Sequence, residues 1–248
     1  MNMTLNYNNV QRKDIVFLPT PMPATQESNQ DILSLGLGLR YGILKDLEIF
    51  FNLNGLYQHN KTFTPLLKEL NTRNSFEFGA LNLGLTYEIF KENEYPSLLL
   101  SADIYPVVRT VLGDAHKSFQ YFKSYTFSLI SFYTADPITF FLQTSFRLNL
   151  NKKDKDLNFN EGEVFTFAPL IYFSVSPYAS LNFGVKYQFQ TSDFLNQGIV
   201  TPLGSSLGYV FGASYEIKDA FSIIVDVELL ERNSFSNKSV SLTLSYGF

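Results

Sequence analysis

The sequence predicts an all-β protein: a transmembrane up-and-down antiparallel β-barrel of twelve strands. Two features of the chain predict this fold. Apolar and polar residues alternate over long stretches, and short connections between these stretches take turns with longer ones. Because the side chains of a strand point alternately to its two faces, strict alternation gives one apolar and one polar face. Tight turns at one end and longer loops at the other are typical of an up-and-down barrel.

The first four strands are predicted near residues 2–10, 31–44, 47–60 and 76–90. In the first, a pair of asparagines dilutes the alternation. In the second, Leu, Tyr and Ile alternate with Ser, Gly and Arg. In the third and fourth, Leu, Ile, Phe and Tyr alternate with Glu, Asn, Gln, Gly and Thr. A helical period of 3.6 residues fits none of these segments as well.

The next four strands are predicted near residues 97–110, 121–134, 138–150 and 163–176. The alternation is clear in 138–150 and weak in 121–134. The apolar run within 163–176 is only strand-sized, whereas a membrane helix needs about 20 apolar residues. No apolar run of the sequence approaches that length.

The last four strands are predicted near residues 180–191, 205–217, 221–231 and 239–248. The final one is the clearest, because Val, Leu and Tyr alternate with Ser, Thr and Gly up to the terminal Phe248. This pattern resembles the closing strand of bacterial outer-membrane barrels, which implies that Tyr246 and Phe248 act as the signal for the barrel-assembly machinery. Twelve is an even number, so both termini are expected at the short-turn end.

The connections support the same topology. Short turns are predicted at Leu44–Asp46, Lys91–Pro96, Ala135–Pro137, Ser176–Ala179 and Lys218–Ala220. Longer polar segments, predicted to form the loops of the opposite end, occur at Gln11–Gln30, Lys61–Ser75, Val111–Gln120, Asn151–Gly162, Thr191–Ser205 and Arg232–Lys238.

Composition excludes several classes of protein. The 248 residues suit one domain, residues 1–248, and contain no Cys, so disulfides, thiolate metal sites and cysteine nucleophiles are excluded. The formal net charge of −4 comes from mixed acidic and basic residues, and without a basic patch no nucleic-acid partner is expected. The first residues lack the features of a signal peptide, so we expect that one has been removed.

Charged residues decide which face meets lipid. They fall on the small or polar phase, and a basic group facing the middle of the bilayer costs about 2–4 kcal/mol. We therefore predict an apolar outer face with Tyr and Phe near both edges, in a Gram-negative outer membrane with its lipopolysaccharide. The predicted lumen-lining residues are Arg40, Glu48, Asp103, Tyr105, Phe141, Arg147, Tyr172, Lys186, Asp226 and Glu228. The alternative, a soluble sandwich or barrel, would bury the apolar face instead.

Several segments resemble one family of outer-membrane barrels, the transporter-like proteins named for the MetA pathway of phenol degradation. The resemblance rests on segments 37–48, 79–87 and 95–101, on Asp136-Pro137 and on the C-terminal strand. It implies small, often aromatic or hydrophobic cargo. The sequence departs from the family pattern at Gly79-Ala80, where Gly-Asp is expected, and lacks the Gly that usually follows the Pro near residue 106.

Catalysis and metal binding find little support. The two histidines, His59 and His116, match no pattern of a barrel phospholipase, in which a His must activate a Ser. Carboxylates at 154, 156, 161 and 163 belong to a lysine-rich segment, which is predicted to be a solvated loop rather than a calcium site. We therefore expect no catalytic residue, no metal site, no cofactor and no enzymatic activity.

Three functions remain open. The first is a channel that passes small, amphipathic or hydrophobic solutes, because the polar phase also carries apolar and aromatic residues and twelve strands enclose a narrow lumen. The second is a structural or surface-interaction barrel whose inward charges pair and plug the lumen. The third is a phospholipase-type membrane enzyme. A structure can discriminate the first two by the pairing of the inward charges.

Overall fold

The computed structural model of the protein describes residues 1–17, 23–64, 69–112, 116–154, 157–196, 198–218, 220–232 and 235–247. Within these residues the chain forms seventeen strands, and no helix is long and apolar enough to cross a membrane. In chain order the strands are β1 (Asn2–Phe17), β2 (Pro23–Leu44), β3 (Leu47–Thr64), β4 (Glu69–Phe90), β5 (Ser97–Leu112), β6 (His116–Tyr121), β7 (Ser124–Ala135), β8 (Ile138–Asn149), β9 (Lys152–Asp154), β10 (Leu157–Asn160), β11 (Val164–Ser176), β12 (Ala179–Gln190), β13 (Asp193–Leu195), β14 (Gly198–Thr201), β15 (Gly204–Lys218), β16 (Phe221–Arg232) and β17 (Phe235–Tyr246).

Twelve of these strands form a closed antiparallel barrel, which confirms the predicted fold class. The order around the barrel is β1, β2, β3, β4, β5, β7, β8, β11, β12, β15, β16 and β17. The first and last strands close it: Met3 pairs with Leu244, and the N-terminal ammonium donates to the carbonyl of Tyr246 at 2.7 Å. The strand near residues 2–10, whose alternation is diluted, is therefore paired on both sides.

The barrel is apolar outside and polar inside. Most of the deeply buried side chains among the described residues are polar, including Ser97, Ser101, Ser124, Thr126 and Ser128 on the inner face of β5 and β7. Large apolar side chains are exposed on the outer face, as lipid requires. Tyrosines such as Tyr41, Tyr87 and Tyr215 mark the turn end of this face, and others such as Tyr7, Tyr57 and Tyr209 its loop end.

The short turns lie at the predicted positions wherever they are described, but several predicted loops are largely strand. β2 begins at Pro23, eight residues before the predicted 31, and β4 begins at Glu69 rather than 76. Backbone pairing continues through Gln11–Gln30 and Lys61–Ser75 wherever these are described. Hydrogen bonds between strands do not require an apolar face, so β1–β4 extend past the apolar part of the wall.

The weakly patterned segment near 121–134 is mostly β7, whereas β6 lies almost entirely within the predicted loop Val111–Gln120. β6 pairs with the loop-end half of β5, and β7 with the turn-end half. Between them lies a bulge in which Phe122 has a left-handed backbone, with φ of 52°. Beyond the barrel wall, β9, β10, β13 and β14 form a small separate sheet at the loop end.

Candidate functional site

Two polar pairs bridge β12 and β16 across β15 on the inner face. Lys186 Nζ lies 2.9 and 3.1 Å from the two carboxylate oxygens of Glu228. Asn182 Nδ2 donates to Asp226 Oδ1 at 2.9 Å. Gly212 of β15 lies between the latter two residues, and a Cβ at that position would collide with both side chains. The glycine therefore lets side chains of non-adjacent strands meet, a use of glycine that is common where groups approach closely in a strand.

Arg40 and Glu48 form a looser pair at the turn end. Their nearest charged atoms are 3.9 Å apart, and 61% and 52% of the two side chains are exposed. The Arg40 guanidinium also lies 5.7 Å from the ring centroid of Phe50. That ring occupies the space over Gly84, where a side chain would overlap it. Exposed ion pairs of this kind add little stability, so these residues form a polar rim and contribute little to holding the strands together.

Asp103 is joined to its neighbours by amide groups instead of a cation. Asn82 Nδ2 donates to Asp103 Oδ1 at 2.7 Å, and Asn52 Nδ2 donates to Asn82 Oδ1 at 3.2 Å. This chain of hydrogen bonds runs across β3, β4 and β5. It holds one acidic group on the inner wall, whose charge is partly compensated at longer range by Arg147.

Arg147 differs from the other predicted inward cations. Its guanidinium lies 5.7 Å from the ring centroid of Tyr105, a cation–π arrangement. No Asp or Glu oxygen among the described residues lies within 4.0 Å of its nitrogens. The side chain is also exposed. Arg147 therefore forms no close ion pair, although it attracts Asp103 at longer range, and its exposed guanidinium can be reached by an anion that enters the barrel.

An aromatic patch interrupts the polar inner face. The rings of Phe141 on β8 and Tyr172 on β11 meet edge to face, with centroids 6.0 Å apart. Leu170 lies opposite Phe141 in the β8–β11 register. Such a patch can contact the apolar part of a solute.

The segment that we call the inward loop, residues 150–154 and 157–163, carries a charged cluster. Glu161 contacts Lys152, and its other carboxylate oxygen lies 3.1 Å from Lys123 Nζ. Only 2% of the Lys152 side chain and 18% of the Lys123 side chain are exposed. The ammonium of Lys152 also lies 5.2 Å from the ring centroid of Phe159. One carboxylate thus serves two largely buried cations.

Hydrogen bonds fix the base of the inward loop. Asn149 donates to the carbonyl of Gly162 at 2.7 Å, and the Gly162 amide donates to Asp193 at 2.9 Å. The Glu163 amide donates to Thr191 Oγ1 at 2.8 Å. Gly162 approaches Thr191 so closely that a Cβ would overlap its backbone. The loop is therefore anchored on β8, on the residue that follows β12 and on β13.

Burial changes the acid–base behaviour of this cluster. It lowers the pKa of Lys152 to about 8, and repulsion from Lys123 adds to that effect while Glu161 opposes it. Burial also raises the pKa of Glu161, but attraction to Lys123 and Lys152 outweighs it and holds that pKa below its ordinary value. The carboxylate is thus ionised at neutral pH.

The cluster stands between two cavities. One, of about 210 Å³, is lined by Tyr105, Arg147, Asn149 and other residues of β4–β12. The other, of about 380 Å³, is lined by residues of β2–β4 that include Gln58 and Arg73. Lys123 and Glu161 line both cavities. The inward loop therefore reaches across the barrel and divides the space near the loop end.

The sequence prediction missed this cluster and was wrong about residue 161. Glu161 is only 30% exposed and belongs to a buried ion cluster, not to a solvated loop. Lys123 escaped detection because regular alternation from the inward Ser124 places residue 123 on the lipid face. The bulge at Phe122 shifts that phase and turns Lys123 inward, as bulges often do. A charged residue on the apolar phase was the available signal.

The other residues discussed from the sequence do not belong to a charged cluster of this kind among the described residues. His59 lies within β3, not at its end, and contacts the side-chain oxygen of Asn74. The side chain of His116, and Asp156 and Phe248 altogether, lie outside the described residues. Tyr246 is half exposed on the outer face. Within the described part of the chain no group of three or more His, Cys, Asp or Glu residues could hold a metal ion.

Comparisons by sequence identify no relative: no protein-family model and no curated protein matches the chain. The family resemblance described above therefore has no support at the level of sequence.

Solved structures do resemble it. The chain is similar to an outer membrane channel from Pseudomonas putida F1, with a TM-score of 0.65 and 11% identity over 100% of this chain and 95% of that one. It is similar to the transport unit of the autotransporter AIDA-I from Escherichia coli, with a TM-score of 0.57 and 10% identity over 100% and 90%. It is also similar to CymD, a monoaromatic hydrocarbon channel, with a TM-score of 0.52 and 8% identity over 100% and 88%. At these identities the likeness concerns the fold, which is that of outer-membrane barrels and agrees with the location predicted from the sequence.

Proposed function

We propose that the protein is an outer-membrane channel that passes small amphipathic or hydrophobic molecules through a narrow lumen. The observation that carries this proposal is the pair of cavities near the loop end, separated by the side chains of the inward loop. A barrel whose lumen was filled by its own wall residues would leave no such space. The fold is similar to those of solved outer-membrane channels, one of which is a monoaromatic hydrocarbon channel, and this similarity supports the proposed role.

The inner face suits solutes that are polar at one end and apolar at the other. Arg147 offers an unpaired charge, while Phe141 and Tyr172 offer aromatic surface further towards the turn end. Neighbouring hydroxyls and amides give a solute hydrogen-bonding partners along the wall. The ten residues predicted from the sequence to line the lumen are proposed to form this path.

The second candidate is a plugged barrel with a structural or surface role. The pairing of Lys186 with Glu228 and of Lys152 with Glu161 favours it, because paired charges can seal a lumen. The two candidates differ in whether the inward loop can move away from its position between the two cavities. The family assignment and the action of Tyr246 and Phe248 as an assembly signal likewise remain proposals.

Solute flux tests the channel role. The purified protein, folded into liposomes, should allow swelling in isosmotic solutions of small amphipathic solutes such as short glycol ethers. Empty liposomes and liposomes with heat-unfolded protein serve as controls. Folding is verified by the shift in gel mobility that barrel proteins show on heating. Folded protein without swelling and without single-channel current in planar bilayers would support the plugged barrel instead.

A further inference from the structure

The smaller cavity carries an excess of positive charge. Of the charged residues that line it, Arg147 and Lys123 are cations and Glu161 is an anion. Glu161 is also shared with Lys152, which is almost completely buried. Among the described residues this one carboxylate makes the ion pairs of two of these cations, and Arg147, which only attracts Asp103 at longer range, makes none. A cleft whose lining carries surplus positive charge favours the entry of an anion.

The other lining residues define what kind of anion fits. Ala80, Val108 and Val164 give the cavity an apolar side, and the ring of Tyr105 adds an aromatic surface. Asn149 and Gln190 place amide groups in the same lining. A volume of about 210 Å³ suits one small organic molecule, given that a water molecule takes up roughly 30 Å³.

We propose that this cavity is a binding site for small monocarboxylates with an apolar or aromatic body. Arg147 and Lys123 receive the carboxylate, and the apolar side receives the body. Guanidinium groups match carboxylates in geometry, because two parallel N–H groups can donate to the two oxygens. The proposal rests on the proposed function in one respect: the carboxylate is a solute on its way through the lumen.

Glu161 acts in this scheme as an internal competitor. Its carboxylate lies 3.1 Å from Lys123 and lines the same cavity, so it occupies a cation that an incoming carboxylate would use. Exchange of one carboxylate for another at Lys123 keeps the buried charge balanced. This exchange would also release the inward loop from one of the two cations that hold it. The passage between the two cavities would then widen.

Binding of benzoate to the folded protein in detergent micelles tests the site. Titration calorimetry should show saturable binding of benzoate, and benzamide, which has the same shape without the charge, should bind at least about tenfold more weakly because charge-assisted hydrogen bonds are the strong ones. Arg147→Gln should weaken benzoate binding about tenfold or more, whereas Arg147→Lys should restore part of it. Lys238→Gln, on the exposed outer face of β17, is the control of equal charge change and should leave binding unchanged.

Glu161→Gln tests the competition. This variant should bind benzoate more tightly than the natural protein does. Unsaturable benzoate binding, or equal binding by the natural protein and Arg147→Gln, would overturn the site. Weaker benzoate binding by Glu161→Gln would overturn the competition.

Flux separates this proposal from the proposed function. Saturable benzoate binding without liposome swelling by any solute would retain the site and reject the channel. Swelling by neutral solutes without benzoate binding would retain the channel and reject the site.

Discussion

The two sides of the lumen handle charge in different ways. On the β12–β16 side, Lys186 and Glu228 pair at 2.9 Å, and Asp226 accepts a hydrogen bond from Asn182. On the β5–β8 side, Arg147 lies over a tyrosine ring and has no carboxylate of the described residues within 4.0 Å. A charge that is satisfied within the wall supports the wall. A charge without such a partner is accessible to a solute, and we propose that this difference distinguishes residues that stabilise the wall from residues that bind solute.

The largest effect is expected from Glu161→Gln, because it removes the anion that closes the unsatisfied side. Two largely buried cations would lose their shared partner, which costs up to about 3–5 kcal/mol when such a pair is broken. The inward loop should detach from Lys123 and move out of the lumen. Single-channel conductance in planar bilayers should therefore rise several-fold. Glu231→Gln, an exposed residue of β16 on the outer face, is the matched control. Unchanged conductance in Glu161→Gln would place the barrier elsewhere.

A smaller effect is expected from breaking the satisfied side. Glu228→Gln leaves the Lys186 ammonium, 27% exposed, without its carboxylate, so the free energy of unfolding should fall by about 1–3 kcal/mol. Arg147→Gln removes a cation–π contact and a long-range attraction to Asp103 but no ion pair, so the loss should be smaller, at most about 1 kcal/mol. Urea unfolding in lipid vesicles measures both. If the free energy of unfolding fell equally in the two variants, the proposed difference between the two sides of the lumen would be wrong.

Gly212→Ala should disturb the satisfied side by crowding. The added methyl group would collide with Asn182 and Asp226, at a cost of about 1–3 kcal/mol for an overpacked position. Gly36→Ala is the control, because the nearest atom to its Cβ would lie at 3.7 Å, an ordinary contact. The midpoint of heat-induced loss of the compact gel band reports the difference. A Gly36→Ala variant as unstable as Gly212→Ala would contradict the crowding argument.

The smallest effect is expected from pH. Lys152 has a pKa of about 8 in the closed loop, below its ordinary 10.5, so the open loop binds the proton more tightly. The closed state should therefore gain stability as pH rises from about 8 towards 10.5. Open probability in planar bilayers should fall over that range.

The opposite change is expected in acid. The lowered pKa of Glu161 favours the closed state above the ordinary range of a glutamate, and that contribution is lost as pH falls through the lowered value. Lys152→Met should abolish the alkaline response and leave the acidic one. An alkaline rise in open probability would contradict the role of Lys152.

The strands of the barrel wall could be predicted because apolar and polar residues alternate along them. Where this alternation ends, the sequence no longer predicts the strands. Within the bilayer, lipid and lumen impose opposite demands on successive residues, so strand bounds such as 47 for β3 and 138 for β8 follow from sequence. Beyond the apolar wall, both faces meet water and alternation is lost, although backbone pairing continues to Thr64 in β3. Sequence therefore underestimates β1–β4.

The inward loop could not be predicted for a different reason. Lys123 follows β6, whereas Lys152 and Glu161 belong to the inward loop, and these two separate segments meet only when the barrel closes. The bulge at Phe122 reverses the side to which Lys123 points, and one shifted residue is enough to mislead an argument from alternation. The predicted inward residues Arg147 and Lys186, by contrast, lie on regular strands whose phase the sequence displays.

The absence of cysteine in this chain permits a direct test of an aqueous path through the barrel. A cysteine at Val210, on the inner face between Gly184 and Glu228, should react with a small hydrophilic thiol reagent added from the loop side. The reaction should be slow in the otherwise natural protein and faster when combined with Glu161→Gln. A cysteine at Phe211, which is exposed to lipid, should remain unreactive in both. A folded Val210→Cys protein that never reacts, even with Glu161→Gln, would contradict the channel.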